Sequence, residues 1–232
     1  MNARYSVAQV LSDTGPLLLD FGGPVCSVFA TLADFTVVAE LRRVIDEQAV
    51  EIPAHIRAVD DPLEVLRFVA TVGEQSLVEQ VEDALCRAEL AAVGGASPTP
   101  YAREVIVAAH ETRRPVAIVS NNSAAAIARY LAVHRLSRYV VGTIGRAHAA
   151  PSLKKPNPAP VLQAVVAVGA DPSDCVLVGD STSDIKGGQA AGVRTIGFAN
   201  KPGKRRRLLS AGADTITERS EWMRKIATAL HQ

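Results

Sequence analysis

Cysteine, aromatic side chains and a charge excess of either sign are all scarce in this chain. Its 232 residues include three cysteines and one tryptophan, and aromatics make up 4%. Cys26, Cys86 and Cys175 are odd in number, far apart and form no CxxC pair. That argues against a disulfide framework or a zinc site and points to a reducing cytoplasm. Lys plus Arg number 25 against 24 Asp plus Glu, a net charge of +1, so no general attraction to nucleic acid or anionic lipid is expected. No apolar run reaches membrane-spanning length. The opening MNARYSVAQVLSDTG is polar and does not read as a signal peptide. No internal repeat or low-complexity segment is visible. The remainder, 48% hydrophobic and 21% charged, suits one large domain or a core domain carrying a modest insertion.

What is there is a series of short apolar runs that end in polar residues or glycine. They are 17-LLLD, 115-PVAIVSNN, 139-YVVGTIG, 175-CVLVGDS and 194-RTIGFAN. Their length and β-branching predict buried strands of a parallel sheet. Helix-like stretches alternate with them: 101-YAREVIVAAHETRR, 123-SAAAIARYLAVHRL, 158-PAPVLQAVVAVGA and 183-SDIKGGQAAG. Such alternation predicts βαβ units, and with them a three-layer, doubly wound α/β fold with a mostly parallel sheet. From about Ser27 to Ser97 the alternation stops. There, 36-TVVAELRRVIDEQAV and the stretch beginning 61-DPLEVLRFVATV have apolar residues at helical spacing, with Leu63, Leu66, Val69 and Ala70 on one face and Val78, Val81 and Leu85 on another. Asp60 or Asp61 can cap, with Pro62 at the first helical position. The breakers 94-GGASPTP end the region. We therefore expect an all-helical cap over residues 25–97, inserted into a core formed by 1–24 and 98–232. Because it leaves directly after Asp20, the insertion reads as a lid over the strand ends.

Parallel α/β sheets bind ligands at the carboxyl ends of their strands. Four polar clusters fall there: Asp20; Ser120, Asn121 and Asn122; Lys154 and Lys155 in 151-PSLKKPNP; and Gly179, Asp180, Ser181 and Asp184. Carboxylates with a lysine suit Mg²⁺ and a phosphate, since Mg²⁺ takes a few carboxylate oxygens and the lysine neutralises anionic charge. Ser120 and the backbone N–H groups near Gly22 and Gly23 are candidates for phosphate oxygens. An aspartate in such a field can attack phosphorus.

In order, the stretches 20-DFGG, 118-IVSN, 155-KPNP and 177-LVGDSTSDIKGGQAAG resemble the haloacid dehalogenase-like (HAD) hydrolase superfamily, and the helical insertion is similar to the cap of its phosphoglycolate phosphatase-like branch. The likeness covers the chain from about Pro16 onward. It implies a HAD-like Rossmannoid core and a cytoplasmic, Mg²⁺-dependent phosphohydrolase of a small phosphorylated substrate, without nucleic-acid or membrane partners. By the resemblance, Asp20 is nucleophile and metal ligand; Ser120, Asn121 and Lys155 hold phosphate; Asp180 and Asp184 bind metal, with the Gly22 backbone carbonyl. Of the two lysines, Lys155 fits because Pro156 follows it.

The chain departs from that pattern at Gly22. The family's phosphatases usually carry there an aspartate that protonates the leaving alcohol, general acid–base help worth roughly 10²–10⁴-fold in rate. Pro24 is a second departure. Three readings follow: a phosphohydrolase that is slow or prefers good leaving groups, with His55, Glu40 or Glu47 as substitute acids; a carbon–halogen hydrolase, against which Asp180 and Asp184 argue; or a non-catalytic relative that binds a phosphorylated ligand or a partner protein. Arg42, Arg43, Arg57 and Arg67 are candidates for specificity. His110, His134, His148 and His231 lack paired ligand spacing, Gly187 and Gly188 suit tight helix packing, and Cys26 reads as a small buried hydrophobe. The run 201-KPGKRRR reads as a solvated loop entering a helix. Trp222 is expected to anchor a terminal helix.

Overall fold

The computed structural model describes residues 4–30 and 34–218, with positions 226, 228 and 230. Trp222 and His231 lie outside the described residues. In chain order the elements are helix α1 (Val7–Ser12), strands β1 (Leu17–Leu19) and β2 (Cys26–Ser27), then α2 (Asp34–Glu47), α3 (Ala54–Arg57), α4 (Pro62–Val72) and α5 (Gln75–Ala92). After β3 (Ser97–Pro98) come α6 (Ala102–Glu111), β4 (Val116–Val119), α7 (Ala124–Val133), β5 (Gly142–Ile144) and α8 (Ala159–Val168). Last are β6 (Val176–Gly179), α9 (Thr182–Ala190), β7 (Arg194–Ala199), α10 (Lys204–Ser210) and β8 (Thr215–Glu218).

Six strands form one sheet in the order β5-β4-β1-β6-β7-β8, and every pairing in it is parallel. The chain runs outward from β1 in one direction, then returns and runs outward in the other. This is the doubly wound α/β arrangement, with its switch point at β1. Alternation within the central strands assigns the two faces. Leu17 and Leu19 join one cluster with Val105 and Ile106 of α6 and Ile127 and Tyr130 of α7. Leu18, with Ala117 and Leu177, packs on Val161, Ala164 and Val165 of α8. Strands buried on both faces need the near-continuous apolar runs read above. β8 was not among the expected strands. It adds a sixth rung at the edge, with Thr215 and Thr217 buried.

The helices α2 to α5 share their own apolar cluster, in which Val38, Leu41, Val65, Leu66, Val78, Val81 and Leu85 are buried. Two crossings join them to the rest, and these pair as a small antiparallel ribbon, Cys26 opposite Pro98 and Ser27 opposite Ser97. One strand of that ribbon lies in the stretch read as breakers. The long helical stretch after Asp61 is two helices, separated at Gly73, whose φ is +86°. That left-handed conformation ends α4 and suits glycine. Asp61 provides the cap, its carboxylate accepting from Leu63 N at 2.9 Å. Ala70, expected on the apolar face of α4, is exposed instead, and Val65 takes the buried place.

Candidate active site

The first, second and fourth polar clusters sit at the carboxyl ends of three adjacent strands: Asp20 after β1, Ser120 after β4 and Asp180 after β6. Lys155 comes from the loop between β5 and α8 and lies at 2% exposure. Its ammonium donates to Asp20 Oδ1 at 2.9 Å, to Asp184 Oδ1 at 2.6 Å and to the Val119 carbonyl at 2.7 Å. All three protons are used, and two carboxylates from distant parts of the chain share one cation. Lys154 does otherwise. It donates to the Leu63 carbonyl of α4 at 2.9 Å and reaches no carboxylate of the cluster.

Asp184 stands in the first turn of α9. Its Oδ2 accepts from Ser181 N at 3.0 Å and from Ser181 Oγ at 2.6 Å, while Ser181 Oγ accepts from Asp184 N at 3.2 Å. The acid therefore caps its own helix with one oxygen and meets Lys155 with the other. Two glycines make room for the acids. A Cβ on Gly179 would sit 2.3 Å from Asp184 Cβ. Gly23 has φ +108°, and a Cβ there would sit 2.5 Å from Asp180 Cγ, so both the backbone and the space demand glycine.

Asp20, Asp180 and Asp184 each offer an oxygen within 4.8 Å of the others. Burial, and then the neighbouring Asp184, push the Asp20 carboxyl up to about 7, against the pull of Lys155. Burial would lower the Lys155 amine, but Asp184 and Asp20 more than reverse this and raise it. Asp180 is raised chiefly by burial, opposed by Lys204. Three acids against two lysines, Lys155 and Lys204, leave one negative charge uncompensated. Asp20 Oδ2 and Asp180 Oδ1 carry no protein partner among the described residues. Such a hard oxygen donor set fits a divalent cation.

The second polar cluster frames Lys155 through its backbone. Asn121 Oδ1 accepts from Lys155 N at 2.9 Å, and Asn121 Nδ2 donates to the Lys155 carbonyl at 3.1 Å. Ser120, 3% exposed, donates to Asn122 Oδ1 at 3.3 Å. Gly23 N is taken by the Cys26 carbonyl at 2.8 Å, which corrects its assignment to phosphate.

Above the acids opens a cavity of about 910 Å³ between strand ends and insertion, with Gly22, Asn122 and Asp180 on one side and Asp60 and Asp61 on the other. Asp20 and Lys155 are not among the residues that line it. None of the proposed substitute acids lines it. Glu40 and Glu47 both pair with Arg43 on the exposed face of α2. The specificity arginines are also elsewhere. Arg42 donates to the Ile56 and Val59 carbonyls, Arg57 pairs with Asp46 at 3.3 Å, and Arg67 pairs with Glu64. Sequence reasoning missed Lys204 and Asn200, both on the cavity wall. Lys204 Nζ and Asn200 Nδ2 (2.8 Å) donate to the same oxygen, Asp180 Oδ2. The basic run is thus not wholly solvated. Its fourth residue turns into the site because α10 starts there, just past the end of β7.

In a doubly wound α/β protein, acids and a lysine gathered at the switch point stand where such sheets bind their ligands. A model described as haloacid dehalogenase-like hydrolase matches residues 27–192, and the chain belongs to that family. Pyrophosphatase PpaX of Bacillus pumilus is 50% identical over 46 residues, 20% of this chain and 21% of that protein. Phosphoglycolate phosphatase of Pectobacterium atrosepticum is 36% identical over 84 residues, 36% of this chain and 35% of that protein. The aligned stretches thus span only about a fifth to a third of these relatives. A hydrolase from Pseudomonas syringae has the same fold, with a TM-score of 0.65 at 16% identity over 88% of this chain and 94% of that one. Among the described residues no helix is long and apolar enough to cross a membrane.

Proposed function

We propose that this chain is a Mg²⁺-dependent phosphohydrolase of a small phosphorylated metabolite, acting through an aspartyl-phosphate on Asp20. One observation carries the reading: Asp20, Asp180 and Asp184 present oxygens within 4.8 Å of one another, and Lys155 joins Asp20 to Asp184. Asp20, Asp180, Asp184 and the Gly22 carbonyl are the groups to hold Mg²⁺, which when bound supplies positive charge to the transferring phosphoryl group. Ser120, Asn121 and Lys155 orient that group. The ionised Asp20 carboxylate forms a bond to phosphorus as the bond to the leaving oxygen breaks. Water then attacks the same phosphorus and releases Asp20 and inorganic phosphate. The segment 25–97 is the cap that excludes bulk water while this happens.

With glycine at position 22, no side chain there protonates the leaving oxygen. This favours substrates whose leaving group departs as a stable anion, a phosphoanhydride or an acyl phosphate. The likeness to a pyrophosphatase, PpaX, supports that substrate class. The three cysteines are unpaired, which supports a reducing, cytoplasmic setting. A second reading, a non-catalytic relative that binds a phosphorylated ligand, draws on Gly22 and on Lys204 holding Asp180. Release of phosphate from acetyl phosphate, pyrophosphate and glycerol phosphate, with Mg²⁺ and with EDTA, separates the two. We expect Mg²⁺-dependent turnover, fastest on the first two, and none in Asp20→Asn. Saturable binding of phosphate compounds without any turnover would favour the second reading.

A further inference from the structure

Arg146 lies just after β5, in the same loop to α8 that carries Lys155, and its side chain is fully buried. Its guanidinium donates to Glu82 Oε1 at 2.7 Å, to Glu89 Oε1 at 2.8 Å and to the Asn121 carbonyl. Both glutamates belong to α5 of the insertion, and each is 1% exposed. Glu89 in turn accepts from Asn122 Nδ2 at 3.1 Å and from Ser123 N at 2.8 Å, capping α7 from across the interface. Burial opposes the cation, but the two carboxylates hold its protonation firmly. A buried arginine with two acids is weak evidence for stability, because apolar groups of the same volume often do as well. What such a cluster can fix is geometry: a rigid planar fork ties its own loop to helix α5 and to the loop after β4 at once.

The element it reaches is the one that frames the site. Asn121 meets Arg146 through its carbonyl and brackets the Lys155 backbone through its amide, at 2.9 and 3.1 Å. We propose that Arg146 is a positioning residue through which helix α5 of the insertion sets the placement of Asn121 and Lys155, and so the phosphate-holding part of the site. The proposal rests on the phosphohydrolase reading for its consequence in rate, but not for its geometry. The insertion is then more than a cover. Shifting α5 pulls on the Ser120–Ser123 loop and on Lys155, and a misplacement on the scale of an ångström lowers rate by roughly 10²-fold.

Arg146→Met alone would leave two buried carboxylates without a partner and can simply fail to fold. The test therefore uses Arg146→Lys and the neutral triple variant Glu82→Gln/Glu89→Gln/Arg146→Met, each in the full chain. For both, a thermal melt accompanies turnover of acetyl phosphate with Mg²⁺ and hydrogen exchange of segments 119–123 and 153–157. We expect the triple variant to melt near the wild type, to lose roughly 10²-fold in kcat, and to lose exchange protection in both segments. Combined with Asn121→Ala, the triple variant should add little further loss, since both act through one path. A triple variant with wild-type melting, kcat and exchange overturns the proposal. If the wild type turns over none of the phosphate compounds, the phosphohydrolase reading fails, and unchanged exchange in both segments still overturns the positioning role by itself.

Discussion

Lys154 and Lys155 are neighbours in one loop, both at least 95% buried, and they leave it toward different surroundings. Lys155 ends between Asp20 and Asp184, where opposite charges close around it and raise its pKa. Lys154 ends on one carbonyl of α4, where burial and the nearby Arg67 charge lower its pKa to about 8. The same side chain, buried to the same degree, is held by charge at the floor of the site and by a single backbone dipole at the border with the insertion. Burial alone therefore does not tell the two lysines apart. What separates them is the partner that meets the charge. The floor is complete in this sense, and the rim above it is not: Gly22 faces the cavity without a side chain.

The largest effect is expected from completing the rim. A Cβ on Gly22 would meet nothing closer than Asn122 Oδ1 at 3.5 Å, ordinary contact, and Gly22 is not among the positive-φ positions. Gly22→Asp should therefore fold and place a carboxyl group on the cavity wall. On glycerol phosphate, whose alkoxide leaving group must be protonated, we expect a gain of roughly 10²–10⁴-fold in kcat/KM, the range for general acid–base help. The gain should shrink on acetyl phosphate, whose leaving group needs no proton. An equal gain on both substrates, or none, would break the contrast between floor and rim.

Removing the floor's cation comes next. Lys155→Met leaves Asp20 and Asp184 buried without it, and breaking a buried pair in this way costs roughly 3–5 kcal/mol. Urea unfolding in Mg²⁺-free buffer at pH 7 reads it. A loss below about 1 kcal/mol would place Lys155 with the weakly coupled surface pairs.

The order of the four polar clusters, and the strands that carry three of them, could be read from the sequence because buried parallel strands write themselves as apolar runs and their ends as polar breaks. Lys155 could be told from Lys154 only by the proline after it. Other parts left weaker marks. Strand β8 is four residues, Thr215–Glu218, too short for a clear alternation. The ribbon strands β2 and β3 have two residues each, and one sits among glycine and proline. Lys204 reaches Asp180 from 24 positions away, inside a basic run whose other members are exposed. No local pattern separates the one that turns inward. Glu82 and Glu89 did carry a signal. They are seven residues apart on the same stripe of α5 as the buried Val78, Val81 and Leu85, and two acids on an apolar stripe call for a buried cation.

The floor should also reveal itself through pH. Asp20 has its pKa raised from 3.8 to about 7, so between those values the folded chain holds a proton that the unfolded chain has lost. Stability from this group is full below pH 4 and falls as pH rises through 7, by roughly 4 kcal/mol in all. In EDTA the melting temperature should decline from pH 5.5 to 8 more steeply in the wild type than in Asp20→Asn. Mg²⁺ should recover more at pH 8 than at pH 5.5, because it binds the ionised acids. Parallel pH curves for the two proteins would mean that Asp20 is not strained in this way.

The smallest effect, and the sharpest test of the two lysines, belongs to Lys154. Its pKa is lowered from 10.5 to about 8, so its charged form is disfavoured by folding: the stability tied to this group is present above pH 10.5 and lost as pH falls through 8. At pH 7 the chain carries that unfavourable charge in return for one hydrogen bond to Leu63 O, worth about 1 kcal/mol. Methionine has nearly the same length and no charge to desolvate, so Lys154→Met should raise stability at pH 7 by on the order of 1 kcal/mol. The gain should vanish near pH 10, where the lysine is already neutral. Lys155→Met should destabilise at both pH values, because its charge is closed by two acids. If both variants destabilise alike at pH 7, the Leu63 carbonyl and neighbouring Asp61 hold Lys154 as firmly as the acids hold Lys155. The distinction between a charge-held and a dipole-held lysine would then be lost.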